Sequence, residues 1–427
     1  MSEGLSNSAA RWSAVAITIA AAIWFSYTGV RHAVASHYAA SSNSDDWLRA
    51  AQLEPGDAQH WYQLGRFRQL DFDHTDIPLA ISYYRRAVAL NSYSPYYKLD
   101  LASALEMSGQ AAEADKYFRA AQFDYPISPE VSWKYGNFLL RQQRLPEAYA
   151  QIHRAVMWDP KLIAAAVSRV WRSNPDVRIL LDQILPDTPA ADWGAIAFLS
   201  DAREPAAALT VWNRLVAKRP AMDRKTLFAF LDMLVGQERY EDAGSVWRQA
   251  TSLPESSLPA QDARSLVCDG GFEKDLSGGG FGWQETDVAG AAFDFDFDVK
   301  HSGERSARIV FDGTQNLHYE YLFQQILVAP GTPYRFQGYL RTNQISTDTG
   351  VQFEIYDPKD QKNLDVFTPN ERGTQPWTLE EADFKTGPQM HLIRVRLSRA
   401  PSTRLDNKIG GTVWVDDVKI FPAETKP

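Results

Sequence analysis

The sequence predicts a multidomain chain with an N-terminal membrane-crossing helix, an all-α solenoid of two-helix repeats and an all-β antiparallel sandwich. Three observations predict it. Trp12 to Val30 is a run of 19 residues without a charge, a small–bulky–small signature returns every 34 residues, and beyond about residue 266 strand-like alternation replaces helical periodicity. The divisions fall at 1–35 (transmembrane anchor or signal sequence), 36–56 (linker and entry helix), 57–255 (solenoid), 256–265 (linker) and 266–427 (sandwich).

The 427 residues suffice for two or three domains, and 44% hydrophobic with 23% charged residues is a globular composition. A net charge of −9, with no block of consecutive Lys or Arg, argues against nucleic acid as a partner. The single cysteine, Cys268, cannot form an internal disulfide and leaves the redox compartment open.

At 1.5 Å per residue the uncharged run makes a helix of roughly 28 Å, just enough to cross a bilayer. Trp12 at one end and Trp24 and Tyr27 near the other suit the two interfaces. The segment reads as an uncleaved anchor; a cleaved signal is the alternative, because Ala33-Val34-Ala35 has the small-x-small form that precedes cleavage. Either reading sends the rest of the chain out of the cytoplasm, although Arg11 and Arg31 balance the charge across the segment. The expected location is the inner membrane, single-pass. Residues 36–56, with Ser41, Ser42, Asn43 and Ser44, read as a polar approach to a helix that begins near Trp47.

Ala80, Tyr84 and Ala87 recur as Ala114, Phe118 and Ala121 and as Ala148, Ile152 and Ala155, each set 34 residues after the last. Positions i, i+4 and i+7 share one helix face. Upstream of each set lies a second amphipathic segment, marked by Trp61, Leu64 and Gly65, then Leu101 and Ala102, then Tyr135 and Gly136. Pro126 and Pro160 end the second helices. About three extra residues within Asp71 to Asp76 lengthen the first loop. This pattern resembles the tetratricopeptide repeat. Phase is lost between Lys161 and Asp192, then resumes with Ala208, Trp212 and Leu215 and with Ala243, Trp247 and Ala250, whose Trp residues read as packing knobs. The resemblance implies a concave surface that binds a protein or peptide, lined by Tyr62 and Arg66, Tyr96 and Ser103, and Trp133, Asn137 and Arg141. Such a mixture suits a polar peptide; a merely solvated face is the alternative.

In Phe293 to Asp298, Phe and Asp alternate, which places three Phe on one strand face and three Asp on the other. Further strands are expected at 307–311, 319–328, 334–341, 351–356, 391–397 and 412–421, separated by turn residues such as Pro330-Gly331 and Gly410-Gly411. The order of Asp269-Gly270-Gly271-Phe272-Glu273, Trp283, Ser302-Gly303, Val328 to Phe336 and Trp414 to Ile420 resembles the jelly-roll carbohydrate-binding modules of the galactose-binding-like fold. That resemblance implies a glycan ligand and a structural calcium ion on Glu273 and one of Asp416 and Asp417. Alternation would put those two Asp on opposite faces, and Asp417 is the expected ligand; solvated carboxylates without a metal are the alternative.

No GxSxG, HExxH, phosphate-cradling loop or metal-spaced Cys/His cluster is present, and Glu380 and Glu381 would point to opposite faces of a strand. The chain is therefore expected not to be an enzyme. The sandwich carries −7 of the net −9, which favours a neutral glycan or a protein as its ligand. The combination suggests a membrane-tethered scaffold of the cell envelope that holds a protein partner near a glycan, in polysaccharide (exopolysaccharide) export or assembly. A pure protein-interaction scaffold and a carbohydrate-active enzyme are the alternatives.

Overall fold

The computed structural model describes residues 3–41, 43–254, 256–261 and 264–423. Met1 and Ser2 of the anchor, Ser42 of the polar approach, Glu255 at the solenoid's end, residues 262–263 of the linker and 424–427 of the sandwich lie outside the described residues. The chain divides into two compact units, 1–186 and 187–427.

The first unit opens with α1 (Glu3–Ala39), whose stretch Arg11–Ala39 is long and apolar enough to cross a membrane. After α2 (Ser44–Leu53) come three hairpins, α3 (Ala58–Leu70) with α4 (Ile77–Leu90), α5 (Pro95–Met107) with α6 (Ala111–Asp124), and α7 (Pro129–Arg141) with α8 (Leu145–Trp158). Ser94 and Ser128 cap α5 and α7 with their hydroxyls, and each is followed by a proline at the first helical position. The nine signature residues are at most 1% exposed. Glycine is required where the two helices of a hairpin meet: a Cβ on Gly65 would stand 2.6 Å from the Tyr84 ring, and one on Gly136 2.9 Å from Ile152. The extra residues of the first repeat lie in the loop between α3 and α4, as the phasing predicts. A degenerate pair follows, α9 (Ile163–Ser173) and α10 (Val177–Ile179), the latter running on as a π turn over Leu180–Ile184.

The second unit contains α11 (Pro189–Asp201), α12 (Pro205–Ala217), α13 (Arg224–Gly236) and α14 (Tyr240–Thr251), then the sandwich. Trp212 and Trp247 are buried, as packing knobs should be. The strands are β1 (Ala291–Asp296), β2 (Ser306–Asp312), β3 (Phe323–Leu327), β4 (Pro333–Ile345), β5 (Gln352–Tyr356), β6 (Asp365–Phe367), β7 (Gly373–Lys385), β8 (Leu392–Ser398) and β9 (Gly410–Pro422). They form a five-stranded sheet in the order β1-β2-β9-β4-β7 and a four-stranded sheet in the order β3-β8-β5-β6, every pair antiparallel. Phe272, Ile309, Phe336, Phe353, Ile393 and Val415 lie in the core between them.

The last hairpin packs directly on the sandwich. The Tyr240 ring stacks on His391 at 5.2 Å, Trp247 meets Phe281 edge-on at 5.9 Å, and Gly244 leaves room for Leu327, whose Cδ1 a Cβ there would approach to 2.9 Å. The secondary structure changes near residues 256–265, but the compact boundary falls earlier, between Pro186 and Asp187.

Two strand expectations are corrected. β1 stops at Asp296, whose carboxylate is buried because it accepts the Trp414 indole N–H (2.8 Å) and the Asp298 and Val299 amides, so Phe297 lies beyond the strand and is exposed. The short β6 has no counterpart among the expected strands, and neither has β7. Its pattern is inverted, with Leu379 outward and Glu380 buried, and it contains Pro376, which an edge strand tolerates.

Glu380 and Glu381 do face opposite ways. Glu380 is 1% exposed, and burial together with the nearby Glu371 carboxylate pushes it up to about 7 from its ordinary 4.5. The unfolded chain then loses this proton before the folded chain does, so the contribution to stability falls as pH rises from about 4.5 to about 7. In melts of the full chain across this range, Glu380→Gln is expected to flatten the decline and raise Tm at pH 8; parallel wild-type and variant curves would contradict the assignment.

Candidate functional site

The first helices of successive hairpins approach one another, α3 to α5 and α5 to α7, so their shared side is the inner face of the solenoid. A polar bridge crosses it. The Tyr62 hydroxyl on α3 donates to Asp100 on α5 (2.7 Å), and the Lys134 ammonium on α7 donates to the other oxygen of Asp100 (2.9 Å). About two helical turns further along, the Arg141 fork grips both oxygens of Glu106 at 2.6 and 2.7 Å. Burial and the Asp100 carboxylate push the Tyr62 hydroxyl well above its ordinary range, so it stays a donor.

The seven residues expected on this face do not behave alike. Tyr62 is half-buried with its ring 4.6 Å from Tyr97, Arg66 is exposed with its guanidinium 5.9 Å from the Tyr62 ring, and Tyr96 and Arg141 are exposed. Trp133 is half-buried. Ser103 and Asn137 spend their polar atoms on their own helices, bonding the Leu99 and Trp133 carbonyls at 3.0 and 2.8 Å. Asp100, Glu106 and Lys134 escaped the sequence reading. Their signal was the repeat itself, since Asp100 and Lys134 lie 34 residues apart and Glu106 and Arg141 lie 35 apart.

On the sandwich, the outward face of the four-stranded sheet carries two cross-strand rows. Phe323, Arg396, Glu354 and Phe367 are neighbours in one, and Gln325, Arg394, Tyr356 and Asp365 in the other. Arg396 forks onto Glu354 at 2.8 and 2.6 Å and lies 4.4 Å from the Tyr356 ring, while Arg394 lies 4.5 Å from the Phe323 ring. The buried ion pair makes the floor, and Phe367 and Asp365 stand exposed at the rim.

Where the module's first and last segments meet, a bulge overturns the alternation expected around Asp416 and Asp417. Asp417 has φ +51, and the β4–β9 register shifts between Gln337 and Tyr339, opposite it. Asp417 turns to His301 Nδ1 (2.7 Å) and the Lys419 ammonium (3.3 Å). Asp416 is the one near Glu273: one oxygen of each lies 3.8 Å from where a Cβ on Gly271 would stand. Asp416 is fully buried, accepts the His301, Ser302 and Asp417 amides, and is raised above the ordinary carboxylate range by burial.

No family model and no curated protein matches the chain. Among solved structures, PilF of Pseudomonas aeruginosa is similar at 18% identity and TM-score 0.25, covering 46% of this chain and 91% of that one. YrrB, described as a TPR protein with an unusual peptide-binding site, is similar at 13% identity and TM-score 0.25, covering 49% and 93%. A xylan-binding domain from Paenibacillus barcinonensis is similar at 15% identity and TM-score 0.27, covering 39% and all of that chain.

Proposed function

We propose that the chain is a membrane-tethered, non-enzymatic scaffold of the cell envelope, its bulk on the outer side of the inner membrane, serving polysaccharide export or assembly. The observation that carries this is the inner face of α3, α5 and α7. Its structural bonds, Tyr62–Asp100–Lys134 and Arg141–Glu106, hold a fixed pattern of charge, while Arg66, Tyr96 and Trp133 remain for a polar peptide. A neutral glycan is the proposed ligand of the sandwich, on the rows around Tyr356 and Arg396. The exposed Phe367 ring at the rim offers a sugar a stacking surface, and the forked ion pair beside it offers paired polar atoms.

A structural calcium ion fits the meeting point of the module's ends, with a change of ligand. Calcium takes six to eight hard oxygens. Glu273 and Asp416 would supply the carboxylates, with backbone carbonyls and water completing the shell; Asp417, engaged by a lysine and a histidine, would not. The ion would neutralise Asp416, a carboxylate otherwise costly to bury.

The double substitution Arg66→Ala/Trp133→Ala is expected to abolish capture of the peptide partner with the helical circular dichroism unchanged; undiminished capture would refute the inner-face reading. On a glycan array the full chain should bind neutral polysaccharide and Phe367→Ala should lose it. Silence of the wild type would leave a protein-only scaffold, and bond cleavage an enzyme. EDTA should lower the Tm of the full chain and calcium restore it, by the equivalent of about 2.7 kcal/mol at a hundredfold excess over Kd. Glu273→Ala should lose the restoration by calcium and Asp417→Asn keep it; a Tm that calcium leaves unmoved after EDTA would end the calcium reading.

A further inference from the structure

Where the entry helix meets the first hairpin, three metal-ligating groups converge from seven consecutive residues. Glu54 ends α2, Asp57 caps α3 and His60 lies in the first turn of α3, and one ligand atom from each lies within 4.8 Å of the others. His60 Nε2 stands 3.5 Å from Glu54 Oε2 and 3.6 Å from Asp57 Oδ2. The His60 side chain is only 8% exposed, and its Nε2 has no hydrogen-bond partner. A buried imidazole nitrogen is thus aimed between two carboxylate oxygens, yet too far from either to bond it.

The spacing is that of a coordination shell. Ligands on a tetrahedral ion with bonds of about 2.0–2.1 Å stand about 3.3–3.4 Å from one another, so an ion would need the two separations from His60 to shrink by a few tenths of an ångström and the two carboxylate oxygens, which lie within 4.8 Å of each other, to draw in to the same spacing. The remaining carboxylate oxygens are already held in place. Asp57 Oδ1 accepts the Gln59 amide at 2.8 Å as the helix cap, which leaves Oδ2 facing His60. His32 Nδ1 straddles both oxygens of Glu54, at 3.0 Å from Oε1 and 3.1 Å from Oε2, and Oε2 also faces His60. One imidazole with two carboxylates suits zinc and its neighbours in the first transition row, whereas calcium and magnesium prefer oxygen alone.

We propose that Glu54, Asp57 and His60 bind a divalent first-row transition ion of the zinc class, with water at the open position. His32 lies on α1 just beyond the apolar run and orients Glu54 from the far side, so that the ion staples the end of α1, the end of α2 and the start of α3 together. The site is separate from the oxygen-only calcium position in the sandwich and independent of it.

The test uses the full chain in detergent, stripped of metal, with Co2+ as the spectroscopic probe and Zn2+ as competitor. One equivalent of Co2+ should produce the intense visible absorption of a four-coordinate ion, and Zn2+ but not excess Ca2+ should erase it. His60→Gln should remove the band. Asp57→Asn retains a good helix cap, so it should fold normally and bind at least tenfold more weakly. His32→Ala should keep the band with reduced affinity. Absence of a band at stoichiometric Co2+, its displacement by Ca2+, or its persistence at full strength in both His60→Gln and a folded Asp57→Asn would overturn the proposal.

Discussion

The helical part depends on how closely the two helices of each hairpin can approach. Gly65 lies against the Tyr84 ring and Gly136 against Ile152 with no space for a methyl group between them. Close-packed interiors do not stretch to admit one without displacing neighbours. With the hairpin thickness fixed in this way, successive hairpins stack at a constant offset, and residues 34 or 35 apart in sequence, or 38 apart across the lengthened first repeat, become neighbours on the inner face. The Tyr62–Asp100–Lys134 bridge is a product of that regularity, since a small drift between hairpins would break one of its bonds.

The same regularity made the helical part legible. Small and bulky residues at fixed offsets report a local constraint, and local constraints repeat in the sequence. The loop insertion at 71–76 and the fading signature beyond Lys161 could be read for that reason. What could not be read was which inner-face side chains satisfy one another. Ser103 and Asn137 look like free polar groups in the sequence, and only the helix backbone beneath them takes up their hydrogen bonds.

The sandwich was less legible, and its errors share a cause. Alternation presumes an unbroken pleat with apolar residues inward, and the residues that matter here break that rule. Glu380 points inward on an edge strand. Asp296 is buried because an indole and two amides need an acceptor, and a bulge at Asp417 rotates the chain so that Asp416 comes to lie near Glu273. Asp296 and Asp416 take hydrogen bonds from partners more than a hundred residues away, Trp414 for the one and His301 and Ser302 for the other. A one-dimensional pattern carries no trace of such partners.

The contact of α14 with the sandwich alters what the C-terminal module is for. A stacked helical array must end somewhere, and its last repeat needs a polar outer side or some other cover to stay in solution. Here the final helix presents Tyr240, Gly244 and Trp247 to His391, Leu327 and Phe281. The sandwich is thus the cover of the last repeat. A cut at the linker would uncover the apolar surfaces that α14 and the strands bury against each other, and the compact unit accordingly runs from Asp187 onward, helices included.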